Sequence, residues 1–187
     1  MADRAPYAPD PAAGVLLVDW PLFGELSRAL ALKVARAFRP DLVVGVATAG
    51  VVPGAAVAAI LDVPFHSILV SRRAARPDDG TPDRTPDRAT PAVFGAAPPE
   101  ARGARVLVVD ETCDSGDTLR LAVGALVHAG AREVRTAVGF RRGPYAPDFH
   151  AMATKSPIVL PWDREILVGD TLRPNPRYAG VLTEVVA

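Results

Sequence analysis

A chain of 187 residues is long enough to bury one substantial core and short for two independent domains, so one compact domain with an appendage is expected. Its 21 basic and 21 acidic residues balance without a polybasic run, which argues against nucleic acid or an anionic membrane as partner and favours small-molecule work. No apolar run approaches the roughly 18 residues of a membrane span, residues 1–14 lack an apolar signal core, and Cys113 is the sole cysteine; a cytosolic protein without an internal disulfide or a cysteine-based zinc site is expected.

In chain order, residues 1–14 read as a flexible tail. Asp19-Trp20-Pro21 reads as a helix start with Pro at the first position, and Phe23, Leu26, Leu30, Val34 and Phe38 follow at helical spacing. Residues 41–47 read as a buried strand, 53–61 as a small-residue helix, 64–71 as a second strand and 105–111 as a later one. A helix carrying Leu119, Val123, Leu126 and Val127 comes next, then a strand over 133–141. Strands separated by helices imply right-handed crossovers and an α/β fold with a mostly parallel central sheet flanked by helices. In such a sheet, ligands bind beyond the carboxyl ends of the strands. The core is expected over 15–146, with a C-terminal hood over 147–187. Between Ser71 and Pro91 lies a polar segment with the tandem repeat Thr81-Pro82-Asp83-Arg84, Thr85-Pro86-Asp87-Arg88. Its length fits a functional lid, and its composition fits a disordered insertion equally well.

The densest chemistry follows the 105–111 strand. Asp110 and Glu111 close it, and Thr112-Cys113-Asp114-Ser115-Gly116-Asp117-Thr118 leads into the next helix. At a helix N-terminus, unpaired N–H groups and the positive end of the helix dipole favour a phosphate. Ser115 and Thr118 add hydroxyl donors, Gly116 lets the backbone approach closely, and two carboxylates stand beside the anion. Neither a G-x-x-x-x-G-K-[ST] run nor a G-x-G-x-x-G run competes with this reading. Asp117 is an acid within the turn, tolerable where its side chain points outward.

This run resembles the phosphoribosyl pyrophosphate signature of the type I phosphoribosyltransferases, two acids followed by a Ser/Thr-Gly-x-Thr cradle. The resemblance implies a 5′-phosphate site at Cys113, Asp114, Ser115, Gly116, Asp117 and Thr118, with Asp110 and Glu111 holding ribose hydroxyls and, mainly through water, Mg²⁺. It also implies that the segment at about 72–90 is a lid whose returning strand is 91–95. A second strand-to-helix loop, Ala47-Thr48-Ala49-Gly50, resembles the family's pyrophosphate loop, where backbone N–H groups form an anion nest. The family places a non-proline cis peptide near Ala47-Thr48. Read alone, this loop is an ordinary small-residue turn.

The broader likeness, from about 19 to 163, is to the bacterial and archaeal xanthine-guanine (6-oxopurine) enzymes, and rests on Trp20-Pro21-Leu22-Phe23-Gly24, Pro147-Asp148-Phe149-His150 and Ile158-Val159-Leu160-Pro161-Trp162-Asp163. It assigns base binding to Arg141, Pro157 and Ile158. Arg141 stands where the family has Lys, Pro157 where it has a stacking Trp, and Thr48 where it has an Arg that meets pyrophosphate. Pro157 offers no π face, and Arg141 keeps a cation with different geometry. The loop Ala47-Thr48-Ala49-Gly50 is also similar to that of some orotate enzymes, whose lid brings Lys and His, both absent from residues 72–98.

What the resemblance implies is transfer of the phosphoribosyl group of phosphoribosyl pyrophosphate to a nucleobase, with Mg²⁺ as cofactor and a homo-oligomer, dimer or tetramer, as the assembly. Asp114 matches the acid beside N7 of a purine, where it could take a proton, and its bland alternative is a helix cap. The different reading is a non-catalytic binder of phosphoribosyl pyrophosphate or a nucleotide, motivated by the departures at Thr48 and Pro157. Cys113 is read as packing, Trp162 as hood core, and His66, His128 and His150 as too scattered for a metal site. Arg72, Arg73 and Arg76 read as lid residues or as pyrophosphate ligands.

Overall fold

A computed structural model describes residues 14–71 and 91–178. The expected lid and its Arg72, Arg73 and Arg76 lie outside the described residues, as does most of the expected tail. The chain divides into two units, Leu26–Ala153 and a smaller one of Met1–Glu25 with Thr154–Ala187.

The larger unit is built on one six-stranded sheet in the order β4-β3-β2-β5-β6-β7. Its strands are β2 (Leu42–Ala47), β3 (Phe65–Ser71), β4 (Ala92–Phe94), β5 (Arg105–Cys113), β6 (Glu133–Arg141) and β7 (Phe149–Ala153). All neighbours pair parallel except β3 with β4, which is the returning strand expected after the lid. The central strands are apolar throughout because both faces are covered. On one face Leu42, Val44, Val46, Val106 and Val108 meet Leu119, Ala122 and Leu126 of α3 (Asp117–His128). On the other, Val43, Leu107, Val109 and Ala137 meet Leu30, Ala31, Val34 and Phe38, which lie along or just past α1 (Trp20–Ala37), and Val57 and Ala58 of α2 (Val51–Leu61).

Four details depart from the sequence reading. Helix α2 starts two residues before the expected Pro53, and β5 runs two residues past Glu111, carrying Thr112 and Cys113 in the ladder with β6. Val127, expected on the buried face of α3, is 57% exposed, since it falls one position past Leu126 on the turning helix. The fourth is the boundary of the hood, expected at 147. Phe149–Ala153 pairs in parallel with β6 as the edge strand of the main sheet, so the smaller unit takes up the chain only at Thr154.

In that smaller unit β1 (Leu16–Leu17) pairs parallel with β8 (Ile158–Val159), and β9 (Glu165–Val168) forms an antiparallel hairpin with β10 (Thr171–Pro174). Helix α1 begins here at Trp20, capped by Asp19, whose Oδ1 accepts the Leu22 N–H at 2.8 Å. Trp162 is half-buried rather than core, its ring 5.9 Å from Trp20 and 5.2 Å, edge-on, from Phe23. Among the described residues, no helix is long and apolar enough to cross a membrane.

Candidate active site

Two strand-to-helix loops at the carboxyl ends of adjacent parallel strands define the site. After β5, the chain turns through Asp114, Ser115 and Gly116 into α3, and a cleft of about 200 Å³ is lined by residues 110–119. After β2, the loop through Thr48 and Ala49 enters α2, and Val46, Ala47, Thr48 and Ala49 line a second space of about 300 Å³ together with Asp110, Glu111 and Thr118. The three shared residues join the two clefts. The Ala47-Thr48 peptide bond is cis, at the position the resemblance marks.

Asp110 is only 7% exposed, and its Oδ1 accepts the Glu111 N–H at 2.9 Å. Burial, reinforced by the neighbouring Glu111 charge, holds its carboxyl well above the usual carboxylate range. Gly50 makes this possible sterically, because a Cβ there would lie 2.6 Å from the Val46 carbonyl oxygen and 2.8 Å from Asp110 Oδ1. Cys113 is 4% exposed and its thiol is pushed up to about 12, first by burial and then by the charges of Asp110 and Asp114. It is packing, as read from the sequence, and no activated nucleophile.

The turn after β5 leads from the strand into α3, the local structure expected of it. Gly116 is the N-cap of α3 with φ +80° and makes no side-chain cap; the first helical bond runs from the Arg120 N–H to the Gly116 carbonyl. Ahead of it, the Asp117 N–H donates to Ser115 Oγ at 3.4 Å. Asp117 does not simply point outward: the Ser115 hydroxyl donates to its Oδ2 at 2.8 Å, and Arg120 donates to its Oδ1 at 3.0 Å and to the Ser115 carbonyl at 2.9 Å. The acid in the turn is thus matched by a cation three residues on.

Asp114 caps no helix. Its Oδ1 is buried, accepts no hydrogen bond among the described residues, and lies 3.5 Å from the Nε of Arg142. Arg141 is turned elsewhere, its Nε donating to the Tyr145 carbonyl at 3.0 Å. Pro157 and Ile158 belong to the smaller unit, where the Pro157 carbonyl accepts the Leu16 N–H at 2.9 Å and Ile158 is 8% exposed in β8. His150, in β7, has its pKa lowered by burial and by Lys33 and Arg141. No group of three or more His, Cys, Asp or Glu able to hold a metal forms among the described residues.

Sequence reasoning missed three residues around this turn: Arg120, Arg142 and Tyr145. Tyr145 packs on Gly116 where a side chain would otherwise stand, with the Arg120 guanidinium 4.8 Å from its ring centre. The spacing Asp117 to Arg120 is a helical i,i+3 pair and was available as a signal. Arg142 and Tyr145 lie in a turn after another strand, and only the sheet order brings them here.

A comparison with curated protein sequences gives no significant match. Among solved structures, a purine phosphoribosyltransferase from Pyrococcus horikoshii is 24% identical with a TM-score of 0.66, covering 82% of this chain and 97% of its own. A Neisseria gonorrhoeae protein with bound ppGpp is 17% identical with a TM-score of 0.66, covering 92% and 98%. The xanthine-guanine-hypoxanthine phosphoribosyltransferase of Helicobacter pylori is 17% identical with a TM-score of 0.63, covering 79% and 93%. At these identities the likeness is one of fold. The family model described as the phosphoribosyl transferase domain matches residues 16–166, most of the chain, and with both loops of the site in that span the protein belongs to this family and is a phosphoribosyltransferase.

Proposed function

We propose that the enzyme transfers the phosphoribosyl group of phosphoribosyl pyrophosphate to a 6-oxopurine, hypoxanthine, guanine or xanthine, giving a nucleoside 5′-monophosphate and pyrophosphate. The observation that carries this reading is the convergence of two anion-ready loops on Asp110, Glu111 and Thr118. One loop suits a 5′-phosphate at a helix N-terminus, the other suits a diphosphate against backbone N–H groups, and the acids between them suit ribose hydroxyls. The choice of a purine is supported by the activities of the similarly folded Pyrococcus and Helicobacter enzymes.

In the reaction the bond from C1′ to the pyrophosphate oxygen breaks with its electron pair leaving on pyrophosphate, and a bond from C1′ to a purine nitrogen forms. The proton shed by the purine passes to Asp114, whose buried Oδ1 accepts no hydrogen bond among the described residues. The side chain as a whole is 37% exposed, so its open atoms face the cleft. Arg141 keeps a guanidinium at the end of β6 from which the N–H groups not used on Tyr145 can meet a 6-oxo group.

Asp110 and Glu111 offer hard oxygen donors suited to Mg²⁺, and a cation beside them would offset the burial that disfavours ionised Asp110. When bound, the ion would neutralise the leaving diphosphate while taking most of its ligands from water and substrate.

The test is incubation of the purified protein with phosphoribosyl pyrophosphate, Mg²⁺ and, separately, hypoxanthine, guanine, xanthine, adenine, uracil and orotate, with pyrophosphate and nucleotide measured. Turnover with a 6-oxopurine, reduced about 10²- to 10⁴-fold by Asp114→Asn, is expected. Turnover confined to orotate would replace the purine by a pyrimidine acceptor.

A further inference from the structure

The turn after β6 is tied to the phosphate loop along its backbone. The N–H groups of Arg142 and Gly143 both donate to the Cys113 carbonyl, at 2.9 and 3.3 Å, and the Tyr145 N–H donates to the Asp114 carbonyl at 3.3 Å. The Tyr145 ring then closes over Gly116. Three residues of one loop, Cys113, Asp114 and Gly116, are therefore braced by a turn from the neighbouring strand.

Within this brace the two adjacent arginines do different work. Arg141 holds the Tyr145 carbonyl and so closes the turn on itself. Arg142 is 15% exposed and faces Asp114, with Nε 3.5 Å from a carboxylate oxygen that is itself buried. At that separation the contact is an ion pair rather than a hydrogen bond, and with both atoms out of contact with solvent it is screened less than a surface pair. The pairing also turns one oxygen of Asp114 away from solvent, which leaves the rest of the carboxylate to meet a ligand.

We propose that Arg142 is a positioning residue for the transfer reaction. It holds the Asp114 carboxylate in one orientation, ready to take the proton of the incoming base, without itself touching substrate. This rests on the reading of Asp114 as the proton acceptor. Arg142 therefore contributes to the reaction step far more than to binding of phosphoribosyl pyrophosphate, whose loops it does not line.

The test compares wild type with Arg142→Met, Arg142→Lys, Asp114→Asn and the double variant Arg142→Met/Asp114→Asn, using the base the wild type accepts. The expected result is a fall in kcat of about 10- to 100-fold for Arg142→Met, with KM for phosphoribosyl pyrophosphate within about threefold of wild type. Arg142→Lys, which restores a cation with a different head, should recover most of that loss. The double variant should be no slower than Asp114→Asn alone, because the arginine acts through the carboxylate. Undiminished kcat in Arg142→Met overturns the inference, as does a loss in the double variant equal to the product of the single losses. Should Arg142→Met fail to fold, an Arg142→Lys variant that folds but is as slow as Asp114→Asn overturns it equally. Full activity of Asp114→Asn overturns instead the assignment of Asp114, a result distinct from any failure of Arg142 alone.

Discussion

Gly50 sets the geometry of the acid pair by what it lacks. A methyl group there would press on the Val46 carbonyl and on Asp110, and both are held by the core strands, so neither yields readily. Gly50→Ala is expected to cost about 1–3 kcal/mol of stability and to depress turnover through displacement of Asp110. Urea unfolding together with initial rates checks both. At Cys113 the prediction is one of inertness. Its folded thiol titrates near 12 against an ordinary value of 9.0, so the protonated form is the one the fold favours. Its contribution to stability is complete below about pH 9 and is lost as pH rises toward 12, at up to about 1.4 kcal/mol per pH unit. Iodoacetamide at pH 8 should label native protein far more slowly than urea-unfolded protein, and equal rates would contradict the buried thiol.

At the scale of elements, β7 is fastened to β6 by a side chain. The Thr136 N–H and hydroxyl each donate to Asp148 Oδ2 at 2.8 Å, and the Asp148 N–H donates to the Thr136 hydroxyl at 3.0 Å. Thr136 is 4% exposed, so removing the carboxylate strands two buried donors. Asp148→Ala is expected to destabilise the protein by about 2–3 kcal/mol, seen as a lower urea midpoint at unchanged slope. The link adds to the parallel pairing that holds Phe149–Ala153 in the sheet, a segment the family resemblance placed with the hood. The turn after β5 shows the same logic between elements. Its helix supplies Arg120 to offset Asp117, and the turn after β6 supplies Tyr145 to cover Gly116.

For the molecule as a whole, the sheet is the platform on which both loops stand, and its stability comes from two covered faces. Leu107 is fully buried in β5, on the face opposite Val106 and Val108. Leu107→Ala should therefore cost about 2–5 kcal/mol, measured by the same urea titration, since close packing leaves little room for the cavity to collapse. The parallel α/β class, the strand carrying Asp110 and Glu111 and the two strand-to-helix turns after β2 and β5 were all legible in the amino-acid sequence. Each of these is local, written in apolar runs of strand length, helical spacing and small or hydroxyl-bearing residues next to one another. That Asp110, Glu111 and Thr118 face both loops, that Arg142 rather than Arg141 confronts Asp114, and that Tyr145 closes on Gly116 emerges from the folded chain alone. Those contacts join residues 25 or more positions apart, and they exist because β2, β5 and β6 lie side by side in the sheet, an order set by packing and crossover geometry and not by any neighbouring residues in the chain.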